Sequence, residues 1–307
     1  MRLLRDLSAI PDDVRGASAA IGNFDGVHLG HQHVLDLARR PGAPLGVVTF
    51  EPHPREVFAP DAAPFRLTGP AAKASRLQKL GVDLLFELPF DRIAPRTAEA
   101  FVSDVLAHAL GLRHVVVGAD FRFGKDRAGD VDTLCAVGAR HDVAVTVADL
   151  IVGPAGAVSS TAIRTALSEG RPRDAAAMLG HWHRIEGPVL HGEKRGRTLG
   201  YPTANMSMEG LHLPRFGVYA VLVDVLDGPR AGAFHGVASL GVRPMFGENR
   251  PNLETFLFDF DGDLYGTPLS VGLVAFLRPE ARFDGLPALI AQMDTDAAQA
   301  REVLDAL

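Results

Sequence analysis

The stretch Ala20-Ile-Gly-Asn-Phe-Asp-Gly-Val-His-Leu-Gly-His31 decides how this chain is read. It follows a short apolar run, Ser18–Ile21, and leads into a segment of helical spacing, His31–Arg40. A strand that passes through such a loop into a helix presents unpaired helix N–H groups to an anion. Gly22, Gly26 and Gly30 let the backbone approach a ligand closely. His28 and His31 can both donate hydrogen bonds to phosphate oxygens. Two histidines three apart also suit a structural pair, or a metal site completed by His33. Three glycines with a strand before and a helix after favour phosphate. A triphosphate attacked at its α-phosphorus gathers charge on its equatorial oxygens, so it needs positioned donors and cations more than covalent chemistry.

Outward from this loop the same alternation repeats. Further strand-like runs lie at Leu45–Phe50, Asp83–Leu88, His114–Gly118 and Val143–Leu150. Helical spacing separates them at Ala71–Leu80, Thr97–Leu110 and Val131–Arg140. In the second of these, Ala100, Phe101, Val105, His108 and Ala109 are expected on one face. Strand and helix in alternation predict a doubly wound α/β domain with a parallel sheet. Ligands of such sheets bind beyond the carboxyl ends of the strands, where the strand order switches.

A helical pair follows, Thr161–Glu169 and Asp174–Leu179, with Pro172 suited to a helix start. The pattern then changes. Runs at Gly217–Val225, Gly236–Leu240, Leu253–Phe260 and Leu269–Leu277 are separated by Gly and Pro turns, which reads as an antiparallel barrel or sandwich. Leu286, Leu289, Ile290, Met293, Ala297, Ala300, Leu304 and Leu307 then recur at helical spacing, so one face of a last helix is expected to dock. The boundary falls at Gly180–His183, giving expected domains of 1–182 and 183–307.

The second half opens with Gly187-Pro-Val-Leu-His-Gly-Glu-Lys-Arg-Gly-Arg-Thr-Leu-Gly-Tyr-Pro-Thr-Ala-Asn205. Gly192, Gly196 and Gly200 alternate with Lys194, Arg195 and Arg197, which fits a phosphate flap or a solvated hairpin. Thr203 and Asn205 offer hard oxygen ligands, as magnesium shared with nucleotide phosphates requires. Downstream, strand alternation places Glu254, Phe256, Phe258 and Phe260 on one face, a carboxylate beside an apolar pocket. The plain alternative is an edge-strand Glu that points to water.

The 307 residues suit two domains, and 47% apolar residues can build a core in each. A net charge of −6 gives no pull toward nucleic acid. The single cysteine, Cys135, excludes an internal disulfide and a Cys-rich zinc site, and is most simply a buried helix residue. No run of 18 apolar residues suggests a membrane span, and Met1-Arg-Leu-Leu-Arg-Asp6 lacks an apolar signal core. The expectation is a cytoplasmic protein without membrane or nucleic-acid partners; the docked face of its last helix suits either an intramolecular contact or a homo-oligomer.

Gly-Asn-Phe-Asp-Gly-Val-His-Leu-Gly-His31 resembles the His-x-Gly-His signature of nucleotidylyltransferases. Together with Gly118-Ala-Asp-Phe-Arg-Phe-Gly-Lys-Asp-Arg-Ala-Gly129 and Val158-Ser-Ser-Thr-Ala-Ile-Arg164, it resembles bacterial bifunctional riboflavin kinase/FAD synthetases. The barrel segments Gly196–Asn205, Gly217-Val-Tyr219, Gly236–Pro244 and Glu254–Gly266 resemble the kinase module of that family. The resemblance covers roughly Ile21 to Asp294. It implies a nucleotidylyltransferase-like α/β domain followed by a six-stranded antiparallel β-barrel with a C-terminal helix. It also implies that riboflavin and ATP yield FMN, and that FMN and a second ATP yield FAD and pyrophosphate, with Mg2+ as cofactor.

The resemblance places roles on this chain. His28 and His31 stabilise the transition state at the α-phosphate. Gly22, Asn23, Phe24 and Gly30 meet ATP, and Ser160, Thr161 and Arg164 hold the outgoing pyrophosphate. Asp120, Phe121 and Phe123 lie near the flavin or the adenine. In the barrel, Gly196, Arg197, Thr198 and Thr203 meet ATP, Thr203 and Asn205 bind magnesium, Arg243 meets the flavin, and Glu254 is the general base. The chain departs from the family at Ser239-Leu-Gly241, at Arg243-Pro-Met245 and at Phe256, all at expected flavin contacts. Two other readings compete: a riboflavin kinase with a decayed adenylyltransferase domain, and a flavin-binding regulator without turnover.

Overall fold

The computed structural model describes residues 1–6, 10–153, 156–191, 201–245 and 248–307, without the side chains of 243–245 and 248–249. The chain divides into two compact units, residues 1–63 with 73–158, and residues 64–72 with 159–307.

The first unit holds a six-stranded sheet of β1 (Arg2–Leu4), β2 (Ser18–Ile21), β3 (Leu45–Glu51), β4 (Leu84–Pro89), β5 (His114–Gly118) and β6 (Ala144–Ala148). The strand order is β1-β4-β3-β2-β5-β6, and every pairing is parallel. The chain leaves β2 toward β3 on one side and β5 on the other, so the strand order reverses at β2. The strands are apolar on both faces because both faces are covered. Val48, Val115 and Val117 enter one core, while Val47 and Val116 enter the other. That is the two-residue period of a strand divided between two helical layers.

Helices α1 (Leu29–Ala38), α2 (Pro54–Phe58), α3 (Pro70–Lys79), α4 (Phe90–Ile93), α5 (Ala98–Ala100) and α6 (Val131–Arg140) connect these strands. The small hairpin β7 (Val152–Gly153) and β8 (Gly156–Ala157) follows. The strand and helix expectations hold to within a few residues, with two corrections. The segment Phe101–Ala109 is a π-helix, and Leu110 N–H donates to the carbonyl of Val105, five residues back. The wider turn buries Phe101–Val102, Val105–Leu106 and Leu110 and leaves His108 exposed, so the expected face is displaced. Cys135 is exposed on α6, whose buried side is Leu134, Val137 and Gly138.

The second unit opens with α7 (Ser160–Ser168) and α8 (Pro172–Leu179). Gly180 ends α8 in the left-handed conformation, φ 72°. Ile163, Ala166, Leu167, Ala175 and Leu179 close a small core over Leu67. The barrel contains β9 (His183–Pro188), β10 (Ala204–Ser207), β11 (Gly217–Val225), β12 (Gly232–Met245), β13 (Glu248–Leu257) and β14 (Pro268–Arg278). Its order, β10-β13-β12-β11-β14-β9, is antiparallel throughout. Leu190 N–H donates to the Asn205 carbonyl at 2.8 Å and nearly closes the β9–β10 seam.

The final helix α9 (Leu286–Asp305) docks through its second half, where Ala300 and Leu304 meet Ala220, Phe258 and Val274. Its first turn stands free, with Leu286 and also the terminal Leu307 exposed. Arg278, ending β14, donates from Nε and Nη2 to the buried Asp296 of α9, at 2.6–3.1 Å. Removing either partner of such a buried pair costs about 3–5 kcal/mol. No helix among the described residues is long and apolar enough to cross a membrane.

Candidate functional site

The loop after β2 lies at the reversal of strand order, where the sheet opens toward ligands. Its backbone is strained. Phe24 and Val27 take φ of 52° and 46°, which is costly for a β-branched residue such as Val27. The surroundings hold that shape: Gly22 N–H donates to the Val48 carbonyl, and Gln32 Nε2 to the Val27 carbonyl. His28 is the N-cap of α1, and its Nδ1 accepts the His31 N–H at 3.3 Å. In neutral His28 the ring proton therefore sits on Nε2, as a donor.

The His28 and His31 rings stack at 3.7 Å, with Phe24 at 4.9 Å from His31. A Cβ at Gly30 would come within 3.1 Å of the His28 ring, so glycine leaves room for the stack. Burial, then the charges of His28 and Lys73, holds His31 well below the usual imidazole range, and it stays neutral at physiological pH. Its Nδ1 is buried and meets no hydrogen-bond partner among the described residues.

Beneath the loop lies Lys73 of α3, only 3% exposed. Its Nζ donates to Thr49 Oγ1 at 3.2 Å and stands 3.9 Å from the Glu51 carboxylate. Thr49 in turn donates to the Asn23 carbonyl, which ties a buried cation to the histidine loop. Sequence reasoning missed Lys73, because the helical spacing of Ala71–Leu80 gives no sign that one lysine turns inward.

Farther along the sheet edge, Asp120 is exposed and Phe121 half-buried, while Phe123 is buried beneath Phe121 at 5.4 Å. Rings continue from Phe123 through Phe101, Phe50 and Phe90 to Phe58, each 5.5–6.4 Å from the next. Phe58 is 70% exposed, so this line of rings ends at a free aromatic face. In the second unit, Ser159 caps α7 by accepting the Ala162 N–H, and Ser160 and Thr161 begin the helix. Arg164 donates to Thr161 Oγ1 and to the Phe65 carbonyl.

The barrel brings Asn205 of β10 directly opposite Glu254 of β13. Both lie on the outer face of the wall, since their neighbours Ala204, Met206 and Leu253 fill the core. Asn252 shares that face and is 2% exposed. Its Nδ2 donates to Asn205 Oδ1 at 3.2 Å and to Glu254 Oε1 at 3.4 Å. Asn205 Nδ2 reaches back to the Thr203 carbonyl at 3.5 Å. Tyr201, just before this loop, sets its ring against Phe256 at 4.9 Å and donates its hydroxyl to Asp294 of α9. Burial, then that carboxylate, pushes the Tyr201 hydroxyl up to about 12.

The expected shared face of Glu254 with three aromatic residues is corrected. β13 ends at Leu257, and Asp259 turns the chain at φ 56°. Phe256 and Phe258 remain on the α9 side, but Phe260 turns toward the barrel core and Phe234. Gly196, Arg197 and Thr198 lie outside the described residues, and the side chain of Arg243 outside the described side chains. Asn252 was also missed, although it stands at strand spacing from Glu254.

A family model for FAD synthetase matches residues 10–162, and one for riboflavin kinase matches residues 179–304. The chain belongs to the bifunctional riboflavin kinase/FMN adenylyltransferase family. The family's protein from Pseudomonas fluorescens is 43% identical, covering 98% of this chain and 97% of its own. That from Escherichia coli K12 is 40% identical over the same shares, and that from Bacillus subtilis 34%, covering 92% and 90%. A crystal structure titled as a macrolide-efflux protein from Streptococcus pneumoniae is also similar. It shows a TM-score of 0.82 at 29% identity, over 97% of this chain and 98% of that one.

Proposed function

We propose that the chain makes FAD from riboflavin in two steps, each with its own ATP. The barrel phosphorylates riboflavin to FMN, and the α/β half adenylylates FMN and releases pyrophosphate. The observation that carries this reading is the contrast in reactive groups: two stacked histidine rings at a helix start in one site, a carboxylate opposite an amide in the other. A kinase with a decayed adenylyltransferase half is not favoured, because the FAD synthetase match spans residues 10–162.

In adenylylation the attacking group is the FMN phosphate, already ionised at neutral pH, so no general base is required. Its oxygen bonds to the α-phosphorus of ATP while the bond to the β-phosphate oxygen breaks. His28 Nε2–H, fixed by the cap bond of Nδ1, donates to an α-phosphate oxygen as charge gathers there. Neutral His31 backs that ring, and Gly22, Asn23, Phe24 and Gly30 line the nucleotide's approach. Ser160, Thr161 and Arg164, at the start of α7, receive the pyrophosphate. Phe121, with Asp120 and the buried Phe123 behind it, faces the flavin or the adenine.

In phosphorylation the ribityl 5′-hydroxyl starts protonated, so a base has work to do. Glu254 accepts that proton as the oxygen bonds to the γ-phosphorus and ADP departs. Gly196, Arg197, Thr198 and Thr203 belong to the ATP side of this site and Arg243 to the flavin side. Asn205 and Thr203 present amide, hydroxyl and carbonyl oxygens, a hard donor set that fits magnesium shared with ATP phosphates. Such an ion offsets triphosphate charge when bound. We assign residues 1–182 to the adenylyltransferase and 183–307 to the kinase, and place the enzyme in the cytoplasm.

The test is an incubation with riboflavin, ATP and magnesium, separating flavins over time. FMN rising first, then FAD, is expected. FMN alone would overturn the adenylyltransferase half of the proposal, and no product would overturn both.

A further inference from the structure

Asn252 is buried on the outer face of the barrel wall, two residues before Glu254. Its amide faces two acceptors, Asn205 Oδ1 and Glu254 Oε1. A carboxylate oxygen only accepts, so the atom facing Glu254 must be the NH2 group. That orientation leaves Asn252 Oδ1 buried with no partner among the described residues. An unsatisfied buried carbonyl is a liability for folding. An apolar residue of equal size would serve the barrel alone better, so the amide is kept for what its hydrogens hold.

We propose that Asn252 is a positioning residue for the kinase reaction: its one NH2 group fixes Asn205 Oδ1 and Glu254 Oε1 relative to each other. The inference rests on the assignment of Asn205 and Glu254 to that reaction. One hydrogen goes to each acceptor. Asn205 Oδ1 has a second lone pair that can meet a cation, and the bond from Asn252 holds the Glu254 carboxylate in one orientation. A metal ligand and a base on different strands thereby share one orienting group, as outer-shell partners of metal ligands commonly do. An aspartate at 252 would turn two bonds into a meeting of three acceptors. Charged groups around this face are Arg250, paired with Glu209 at 3.3 Å, and Glu280, whose carboxylate lies over Gly241. Gly241 is the register neighbour of Asn252 on β12.

The test compares Asn252→Leu and Asn252→Asp with the unaltered protein. Thermal unfolding reports whether each variant is folded, and adenylylation of supplied FMN reports whether the α/β half is intact. Asn252→Leu is expected to melt no lower and to adenylylate normally. Its kcat for riboflavin should fall roughly ten- to a hundredfold, with a comparable weakening of magnesium–ADP binding by calorimetry. Asn252→Asp, which has no NH2 group to hold either acceptor, should lose kcat and magnesium–ADP affinity at least as far. A Leu variant within about twofold in kcat and in magnesium–ADP affinity overturns the proposal. If Leu does not fold, a folded Asn252→Asp within about twofold in kcat and in magnesium–ADP affinity overturns it instead. Glu254→Gln and Asn205→Ala run in parallel: full kinase activity in either breaks the underlying assignment, separately from the role of Asn252.

Discussion

On the proposed roles, the two sites solve different chemical problems with different parts of the fold. The α/β site is a strained loop at a helix N-terminus, where backbone shape aims two stacked histidine rings. The barrel site is a strand register, where straight pairing sets an amide opposite a carboxylate. The difference follows the nucleophile. A phosphate arrives ionised and needs donors around the centre it attacks. A hydroxyl arrives protonated and needs a nearby acceptor. A donor site can be made within a few residues, whereas a base opposite a metal ligand requires distant segments to meet.

The sharpest break in this comparison comes from Glu254→Gln, which should lower riboflavin phosphorylation by roughly 10²–10⁴ and spare adenylylation of supplied FMN. Following both products from riboflavin and from FMN measures it, and equal loss in both would make the sites inseparable. His28→Ala should do the reverse, lowering adenylylation by about 10²–10³ while FMN still accumulates from riboflavin.

Lys73→Met sharpens the donor-site argument. Burial is the largest cause of the depression of His31, followed by the charges of His28 and Lys73. Without that charge His31 binds a proton at higher pH, so the acid limb of adenylylation should move upward while the kinase profile stays in place. A profile that drops without shifting would make Lys73 a purely structural cation.

The smallest effect concerns stability. Burial, with the His181 and His212 charges, lowers His183 of β9 to about 3 from an ordinary 6.5. The unfolded chain takes up that proton between these values and the folded chain does not. Stability is thus full above about 6.5 and is lost as pH falls toward 3. His183→Gln should flatten this part of a thermal-unfolding series against pH, and an unchanged slope would place the sensitivity elsewhere.

Much of the fold was legible because its elements are local. The runs Ser18–Ile21, His114–Gly118 and Val131–Arg140 carry their own periodicity, and the observed elements begin and end at those residues. The π-turn at Phe101–Ala109 and the exposure of Cys135 were not legible, since both depend on which face the sheet covers. His28, His31, Asn205 and Glu254 were visible as residue types at telling spacings. Lys73 and Asn252 were not recognised, because a lysine in a helix and an asparagine in a strand look like solvent-facing residues until packing buries them.

By itself the sequence determined the alternation of strands and helices in the first half, the change to strands in the second, the glycine loop and the two sets of reactive groups, all carried by short-range patterns. Only the tertiary structure decided that β2 lies where the strand order reverses, that Lys73 turns under the loop, and that Asn252 reaches Asn205, 47 residues away in the chain. Those relations depend on sheet register and burial, which are settled when distant segments exclude water together and must pair every hydrogen bond they can.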